Sequence, residues 1–200
     1  MSHKIICISR EFGSGGHIIG ANIAKELGIG FYDKNLLEIA VKYGEIKSGA
    51  LDRADEKATR PWFYKLLYEG NDRVEKEKPA SETLFQLQRD VIKKIAQRED
   101  CVIAGRCCAD TLQNEDVKML SVYILAPTEY RIQRKMEQEQ ITEMQATVLV
   151  RRVDKERESY YNYYTHKEWG NPLNYDLCLN SERIGTAKIV EILKDCYEKM

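Results

Sequence analysis

The sequence lacks the features of several specialised protein classes. No apolar run approaches the roughly 20 residues that a membrane span requires. Residues 1–4 are followed by only a short apolar run, residues 5–8, which is too short for the apolar core of a signal peptide. We therefore expect a cytoplasmic protein. Because the net charge is −1, the overall charge indicates neither a nucleic-acid-binding protein nor one that binds an anionic membrane.

The cysteine pattern argues against a zinc site. The chain has six cysteines, and no two of them form a C-x-x-C pair. Cys7, Cys101 and Cys178 lie in apolar, strand-like runs, so we expect them to be small buried hydrophobic residues in a reducing compartment. Cys107 and Cys108 follow a glycine and an arginine, where a reactive thiol is less readily dismissed.

The composition of the chain is typical of one globular domain, which we expect to span residues 1–200. The hydrophobic content of 43% and the charged content of 32% are ordinary for a folded protein. Only residues 44–79 change in character, with several glycines, two of the four prolines and the aromatic run 62–68. We expect this segment to be a helical excursion from the sheet. It would form a lid, a substrate-side subdomain, a dimer contact or a simple helical hairpin over the core.

Hydrophobic periodicity predicts alternating strands and helices. Apolar, β-branched runs predict five strands, at residues 4–8, 29–32, 101–105, 119–125 and 176–179. Apolar stripes with helical spacing and capping residues predict helices at residues 16–27, from Asp33 to about 43, at 81–97, from Thr128, at 142–164 and from Ile184 to about Met200. This order is typical of an α/β fold, a three-layer doubly wound sheet of about five parallel strands.

A glycine-rich turn between the first strand and the first helix predicts a phosphate site. Glycines allow positive φ, and the N–H groups at a helix start point toward an anion. The pattern G-x-x-x-x-G-K-[ST] is not matched, because the turn has no lysine, and Gly16 and His17 stand where its ending would be sought. Arg10 and His17 are candidates for the missing cation, and so is an arginine of the two helices that follow the fourth strand.

Strand ends in a parallel sheet place further polar residues near this turn. Arg106 follows a strand and a glycine, which suits a bidentate phosphate clamp, although a surface ion pair is the alternative. Asp33 follows the second strand. It would act through a metal-bound water, on a substrate hydroxyl or as a base, or it is simply a helix cap.

The two helices after the fourth strand are rich in basic residues. Arg151, Asp154 and Arg157 recur at three-residue steps, which is typical of an intrahelical salt-bridge ladder. The alternative is a set of movable cations over the negative charge that develops in phosphoryl transfer. The tyrosines within residues 160–164 would stack on a base, form an interface or pack in the core.

Six stretches, in the expected order and covering nearly the whole chain, resemble the cytidylate kinase-like family of P-loop kinases. They are residues 8–17, 31–34, 102–106, 122–134, 152–157 and 175–180. The resemblance implies an ATP-dependent phosphotransferase of nucleoside monophosphate kinase type, with Mg²⁺, CMP or a related acceptor, and lid helices at about residues 128–165. A homodimer is possible on this interpretation.

The resemblance also implies roles for individual residues. Arg106 would bind the acceptor, and Arg157 would contact the transferring phosphate. Arg131 and Arg134 match arginines at the start of the lid and would help to stabilise the charge of that phosphate, so all four arginines would be catalytic. The donor phosphates would be held by Arg10, Gly13, Ser14, Gly15, Gly16 and His17. Asp33 would serve the substrate side, and either Ser14 or Asp33 would be the residue nearest to Mg²⁺.

Two departures from cytidylate kinases leave alternatives open. Residues 15–18 stand where those kinases carry Gly-Lys-Gly-Thr, and Cys107 replaces an aspartate of the acceptor site, which weakens the expectation of CMP. The missing lysine keeps a second hypothesis in play, a nucleotide- or anion-binding sensor without turnover. A third is an oligomeric scaffold with a vestigial site, with residues 62–68 as its interface.

Overall fold

The computed structural model describes residues 2–33 and 80–200, and five parallel strands in these residues form one sheet. The strands are β1 Lys4–Arg10, β2 Gly30–Tyr32, β3 Cys101–Ala104, β4 Lys118–Leu125 and β5 Leu177–Asn180. Their order in the sheet is β2-β3-β1-β4-β5, with parallel pairing throughout. The predicted five-stranded α/β sheet is confirmed.

Seven helices, numbered in chain order among the described residues, connect these strands. They are α1 Gly16–Leu27, α2 Ala80–Ala96, α3 Cys108–Leu112, α4 Thr128–Glu139, α5 Glu143–Thr165, α6 Ser181–Ile184 and α7 Thr186–Lys199, with a 3₁₀ turn at Pro172–Asn174. Within the same residues, no helix has the length and apolar character needed to cross a membrane. The helix predicted after Asp33, the excursion at 44–79 and the aromatic run 62–68 lie outside the described residues.

The core has two halves, one on each face of the sheet. Along β1, Ile5 and Cys7 pack with α2 and α3 on one face, while Ile6 and Ile8 pack with α1 and α7 on the other. This alternation is the two-residue period of a strand. Both faces of the central strand are therefore covered by helices, as a doubly wound fold requires.

The last helix begins at Thr186, two residues later than predicted, because Gly185 with its φ of 81° separates it from the short α6. Two other local expectations were wrong. Thr128 is the first helical residue of α4 and does not cap it, because Pro127 occupies the cap position without a side-chain hydrogen bond. Cys178 is exposed, since β5 is an edge strand.

Strand β1 is longer than predicted, and the difference positions the site. Ser9 and Arg10 continue the pairing with β4, opposite Tyr123 and Ile124. Because all five strands are parallel, their carboxyl ends lie at one edge of the sheet. The glycine-rich turn (residues 11–15), Asp33, the Gly105 turn and Ser181 follow these strand ends and so meet at that edge.

Candidate active site

The glycine-rich turn presents the N-terminus of α1 at this edge. Gly13 and Gly15 have φ values of 83° and 85°, in the left-handed region that favours glycine. Gly15 is the residue before the helix, and its carbonyl accepts the first helical hydrogen bond, from Ile19. The amides of the first helical turn therefore have no partner within the helix, which is the usual arrangement of an anion site.

Ser14 supports the turn from beneath and does not face a ligand. Its side chain is fully buried, and Oγ donates to the carbonyl of Glu11 at 2.8 Å. The Ser14 carbonyl in turn accepts from Ser181 Oγ at 2.6 Å. This position does not favour Ser14 as a magnesium ligand. Ser181 follows the edge strand, and its support of the turn depends on a contact between residues far apart in sequence.

Arg131 is buried in a network beneath the turn, with only 6% of its surface exposed. Its Nε donates to the Ala126 carbonyl at 2.9 Å, and its Nη1 donates to the Phe12 carbonyl at 3.2 Å and to Asp154. Arg131 thus joins the start of α4 to the turn. This burial does not favour the predicted role of Arg131 in contacting a phosphate.

Two carboxylates complete the Arg131 network. Asp154 Oδ1 accepts from the Phe12 N–H at 2.7 Å, so the α5 carboxylate bonds across to the turn instead of serving only a ladder within its own helix. Glu11 Oε2 accepts from the Ala126 N–H at 2.9 Å and lies 3.4 Å from Arg131 Nε. Burial raises the pKa of Glu11, although Ala126 and Arg131 oppose this shift.

The basic side chains of α4 and α5 lie against Phe12 of the turn. Arg157 Nη1 donates to the Arg10 carbonyl at 2.9 Å, and its guanidinium carbon lies 5.5 Å from the centre of the Phe12 ring. Lys135 Nζ lies 4.5 Å from the same ring centre. Cations at these distances are attracted to an aromatic face. The two basic helices are therefore held against the glycine-rich turn.

Arg134 of α4 lies beside Gly15 of the turn. A Cβ added to Gly15 would lie 3.2 Å from Arg134 Nη1 and 3.3 Å from its guanidinium carbon. The Tyr130 hydroxyl accepts from Nη1 at 3.5 Å. Arg134 therefore places a positive charge beside the N-terminus of α1, where an anion would bind.

His17 and Asp33 pair on the β2 side of the turn. Their Nε2 and Oδ2 atoms are 2.9 Å apart, and the His17 ring packs edge-on against Phe31. His17 is exposed, whereas the Asp33 side chain is only 16% exposed. The pairing brings Asp33 to the start of α1, as predicted, and directs His17 toward Asp33.

Arg106 and Cys107 follow β3 in a strained turn. Gly105, Arg106 and Cys107 all have positive φ, at 89°, 59° and 53°. Left-handed conformations cost a non-glycine residue about 1–2 kcal/mol and occur often at functional sites. Cys107 is buried, and burial raises the pKa of its thiol well above the ordinary value. A reactive role for Cys107 is therefore not supported.

The side chains near Arg106 form a polar and aromatic wall between α2 and α5. Tyr160 donates to Gln88 Oε1 at 3.0 Å, and Gln88 is only 2% exposed. Burial raises the pKa of Tyr160 well above its ordinary value, although nearby Arg106 lowers it. Tyr164 stacks on Phe85 with ring centres 3.8 Å apart. Tyr161 is buried with Phe85, and Tyr160 and Tyr164 pack against this cluster, which favours core packing for these three tyrosines, whereas Tyr163 is exposed. Gln88 carried no sequence signal.

The donor groups at the site fit Mg²⁺ only as a companion of bound phosphates. Residues 2–33 and 80–200 contain no group of three or more His, Cys, Asp or Glu side chains that could hold a metal ion. Mg²⁺ commonly binds through one carboxylate together with substrate phosphates and waters. Asp33 at the start of α1 suits that arrangement, whereas the Ser14 hydroxyl is turned away.

Solved structures with similar folds include kinases. An uncharacterized protein from Eubacterium ventriosum is 25% identical, with a TM-score of 0.72 and coverage of 99% of this chain and 100% of that chain. Shikimate kinase from Bacteroides thetaiotaomicron is 14% identical, with a TM-score of 0.54 and coverage of 99% of each chain. A sugar kinase from Janibacter is 14% identical, with a TM-score of 0.52 and coverage of 96% and 92%.

Sequence comparison gives the family. No curated protein matches the chain. The sequence profile of the cytidylate kinase-like family matches residues 5–183, which include all five strands, the glycine-rich turn and both basic helices. The resemblance drawn from the motifs is confirmed by this match. The chain therefore belongs to the cytidylate kinase-like family and is a kinase-type enzyme of P-loop fold.

Proposed function

We propose that this protein transfers the γ-phosphoryl group of ATP to a nucleoside monophosphate or a related small acceptor. The observation that carries the proposal is the position of Arg134, whose guanidinium lies about 3 Å from the Cβ position of Gly15. A cation thereby lies beside the start of α1, whose first amides have no partner within the helix. Such an arrangement suits the charge that develops on a transferring phosphoryl group.

The donor phosphates would bind the backbone of residues 13–17, in the anion site at the start of α1. Arg134 would lie against the outer phosphates. Arg157, which is bonded to the Arg10 carbonyl, would hold the lid helix against the turn while the acceptor oxygen attacks in line. Mg²⁺, when bound, would neutralise phosphate charge, with Asp33 as the nearest carboxylate to its waters.

The acceptor would bind beyond β3, against Arg106. Arg106 is partly exposed at the end of a central strand, and Gln88 and Tyr160 lie in the wall beside it. A guanidinium suits an acceptor phosphate, because it donates two parallel hydrogen bonds. The replacement of the motif aspartate by Cys107 favours an acceptor other than CMP.

Phosphorus NMR tests the proposal directly. The protein would be incubated with Mg²⁺ and ATP together with each common nucleoside monophosphate and a set of small hydroxylated metabolites. We expect the γ-phosphate signal to disappear and a new phosphorylated product to form with at least one acceptor. Unchanged ATP with every acceptor, in a sample that is folded by circular dichroism, would contradict the proposal.

A second candidate is a nucleotide sensor without turnover. It is favoured by Gly16 and His17, which stand where the P-loop pattern places its lysine and its hydroxyl residue. Calorimetry separates the two functions. Tight ATP binding without ADP release favours the sensor, whereas binding with ADP release favours the phosphotransferase. The scaffold hypothesis concerns residues 62–68, outside the described residues.

A further inference from the structure

The glycine-rich turn has the length of a P-loop, but two of its residue types have exchanged positions. When the second glycine of G-x-x-x-x-G-K-[ST] is laid on Gly15, the first glycine falls on Arg10 and the lysine falls on Gly16. The structure supports this register, because Gly15 precedes α1 and Gly16 begins it. The pattern places a glycine at position 10 and a cation at position 16, whereas this chain has a cation at position 10 and a glycine at position 16.

The two positions share the same space. A Cβ added to Gly16 would lie 2.6 Å from Arg10 Cβ and 3.0 Å from Arg10 Cγ. Atoms at these distances overlap, so only one of the two positions can carry a side chain. The Arg10 side chain therefore starts where a lysine at position 16 would start.

Gly105 makes room for the other end of the Arg10 side chain. A Cβ added to Gly105 would lie 2.1 Å from Arg10 Nη1 and 3.2 Å from its guanidinium carbon. The Arg10 guanidinium thus lies over the backbone of Gly105, the residue that precedes Arg106 in sequence. The Arg10 side chain runs from the start of α1 to the end of β3, between the proposed donor and acceptor sites.

His17 is less suited to this role. It is exposed, and its Nε2 is 2.9 Å from Asp33 Oδ2, which directs the ring toward the carboxylate. Arg10, in contrast, is partly buried at the centre of the site, and its own carbonyl accepts from Arg157. Of the cations considered for the missing lysine, Arg10 alone begins beside the position that the lysine would occupy.

We infer that Arg10 is the phosphate-binding cation of this loop, through an exchange of the lysine and first glycine of the P-loop pattern. The inference rests on the proposed function and adds to it the identity of the charged group between donor and acceptor. It also explains why positions 16 and 105 are both glycine. The site would bind the outer phosphates of a nucleoside triphosphate through a planar, bidentate guanidinium.

A reciprocal substitution tests the inference. Calorimetry would measure the affinity for Mg²⁺-ATP of the wild type, of Arg10→Gly and of the double variant Arg10→Gly/Gly16→Lys. We expect Arg10→Gly to weaken binding about tenfold or more, as for the loss of a charge-assisted hydrogen bond. The double variant should recover most of this loss, because the glycine at position 10 frees the space for a lysine at 16.

A matched control tests whether the affinity for Mg²⁺-ATP recovers because the glycine at position 10 leaves room for the lysine at position 16. In Arg10→Ala/Gly16→Lys, the alanine Cβ keeps the 2.6 Å overlap, so we expect no recovery. In the double variant with glycine at position 10, the new side chain also meets Ile124 Cβ at 3.3 Å, which a small shift relieves. Should either double variant fail to fold, Arg10→Met and Arg10→Lys decide the question.

These single variants keep the packing against Gly16 and differ in charge. We expect Arg10→Met to lose about as much affinity as Arg10→Gly and Arg10→Lys to keep most of it. Lys25→Met, an exposed residue in the last turn of α1, is the control for net charge. If Arg10→Met binds Mg²⁺-ATP as tightly as the wild type, the inference is wrong and the proposed function still stands. A wild type that does not bind Mg²⁺-ATP would overturn the proposed function together with the inference.

Discussion

Asp154 in α5 accepts a hydrogen bond from the backbone N–H of Phe12, with 2.7 Å between Oδ1 and N. The same carboxylate pairs with Arg131, which is buried between α4 and the glycine-rich turn. One side chain from α5 thus fixes both the turn and the arginine beneath it. The geometry of the glycine-rich turn therefore depends on the position of α5.

Asp154→Ala should destabilise the protein by about 2 kcal/mol, because it removes one of the two carboxylates that pair with the buried Arg131 and the acceptor of the Phe12 N–H. Urea denaturation followed by circular dichroism measures this change in the free energy of unfolding. Glu191→Gln, which removes an exposed i,i+3 pair with Lys188, is the control and should have little effect. Equal, small effects in the two variants would contradict the structural role of Asp154.

Arg131 and Arg134 are three residues apart, yet their substitutions should have different effects. Arg131→Met should lower the free energy of unfolding by about 2–3 kcal/mol, since the carbonyls and carboxylates around it lose their donor. Arg134→Met should change it by less than about 0.5 kcal/mol, as is usual for a partly exposed residue, but weaken Mg²⁺-ATP binding. Denaturation curves and calorimetry on both variants test this difference. The reverse pattern would show that the two roles are wrongly assigned.

Arg106→Met should affect the acceptor and leave the donor unchanged. Its position after β3 predicts a KM for the acceptor that rises about tenfold or more, while the Kd for Mg²⁺-ATP stays the same. Steady-state kinetics with the acceptor found by NMR, together with calorimetry, give the two quantities. A loss of ATP affinity in this variant would show that Arg106 binds the donor nucleotide instead of the acceptor.

Asp100 should make stability depend on acidic pH. Burial acts to raise its pKa, but hydrogen bonds from the Tyr197 hydroxyl, the Lys4 N–H and His3 outweigh burial and hold the pKa below its ordinary value. A carboxyl with a lowered folded pKa stabilises above the unfolded value, near 3.9, and this contribution is lost as the pH falls further.

Denaturation of the wild type and of Asp100→Asn between pH 3 and pH 7 tests this prediction. The difference in free energy of unfolding between the two proteins should be largest above about pH 5 and should shrink as the pH falls below about 4. A difference that is constant with pH would show that the charge of Asp100 does not contribute.

Much of the fold could be predicted, because strand and helix periods are local properties of the sequence. The apolar run at Ile5–Ile8 and the stripe of Ile19 and Ile23 indicate buried elements without any tertiary information. Cys178 was misjudged because an apolar run does not reveal that its strand lies at the edge of the sheet.

The site was less predictable, because its chemistry depends on contacts between distant residues. The glycine-rich turn, Arg106 and the basic helices were identified from strand ends and the resemblance to the family. The burial of Arg131 depends on Glu11 and Asp154, which lie 120 positions before it and 23 after it in sequence. Likewise, the overlap of positions 10 and 16 follows from how β1 turns into α1.

A crystal structure with Mg²⁺ and a non-hydrolysable ATP analogue tests the central claim most directly. The claim is that the glycine-rich turn is the donor phosphate site of a phosphotransferase. We predict that the β- and γ-phosphates lie over the amides of residues 13–17, within hydrogen-bonding distance of the Arg10 and Arg134 guanidiniums. An analogue bound elsewhere, with the turn free of phosphate, would contradict the claim.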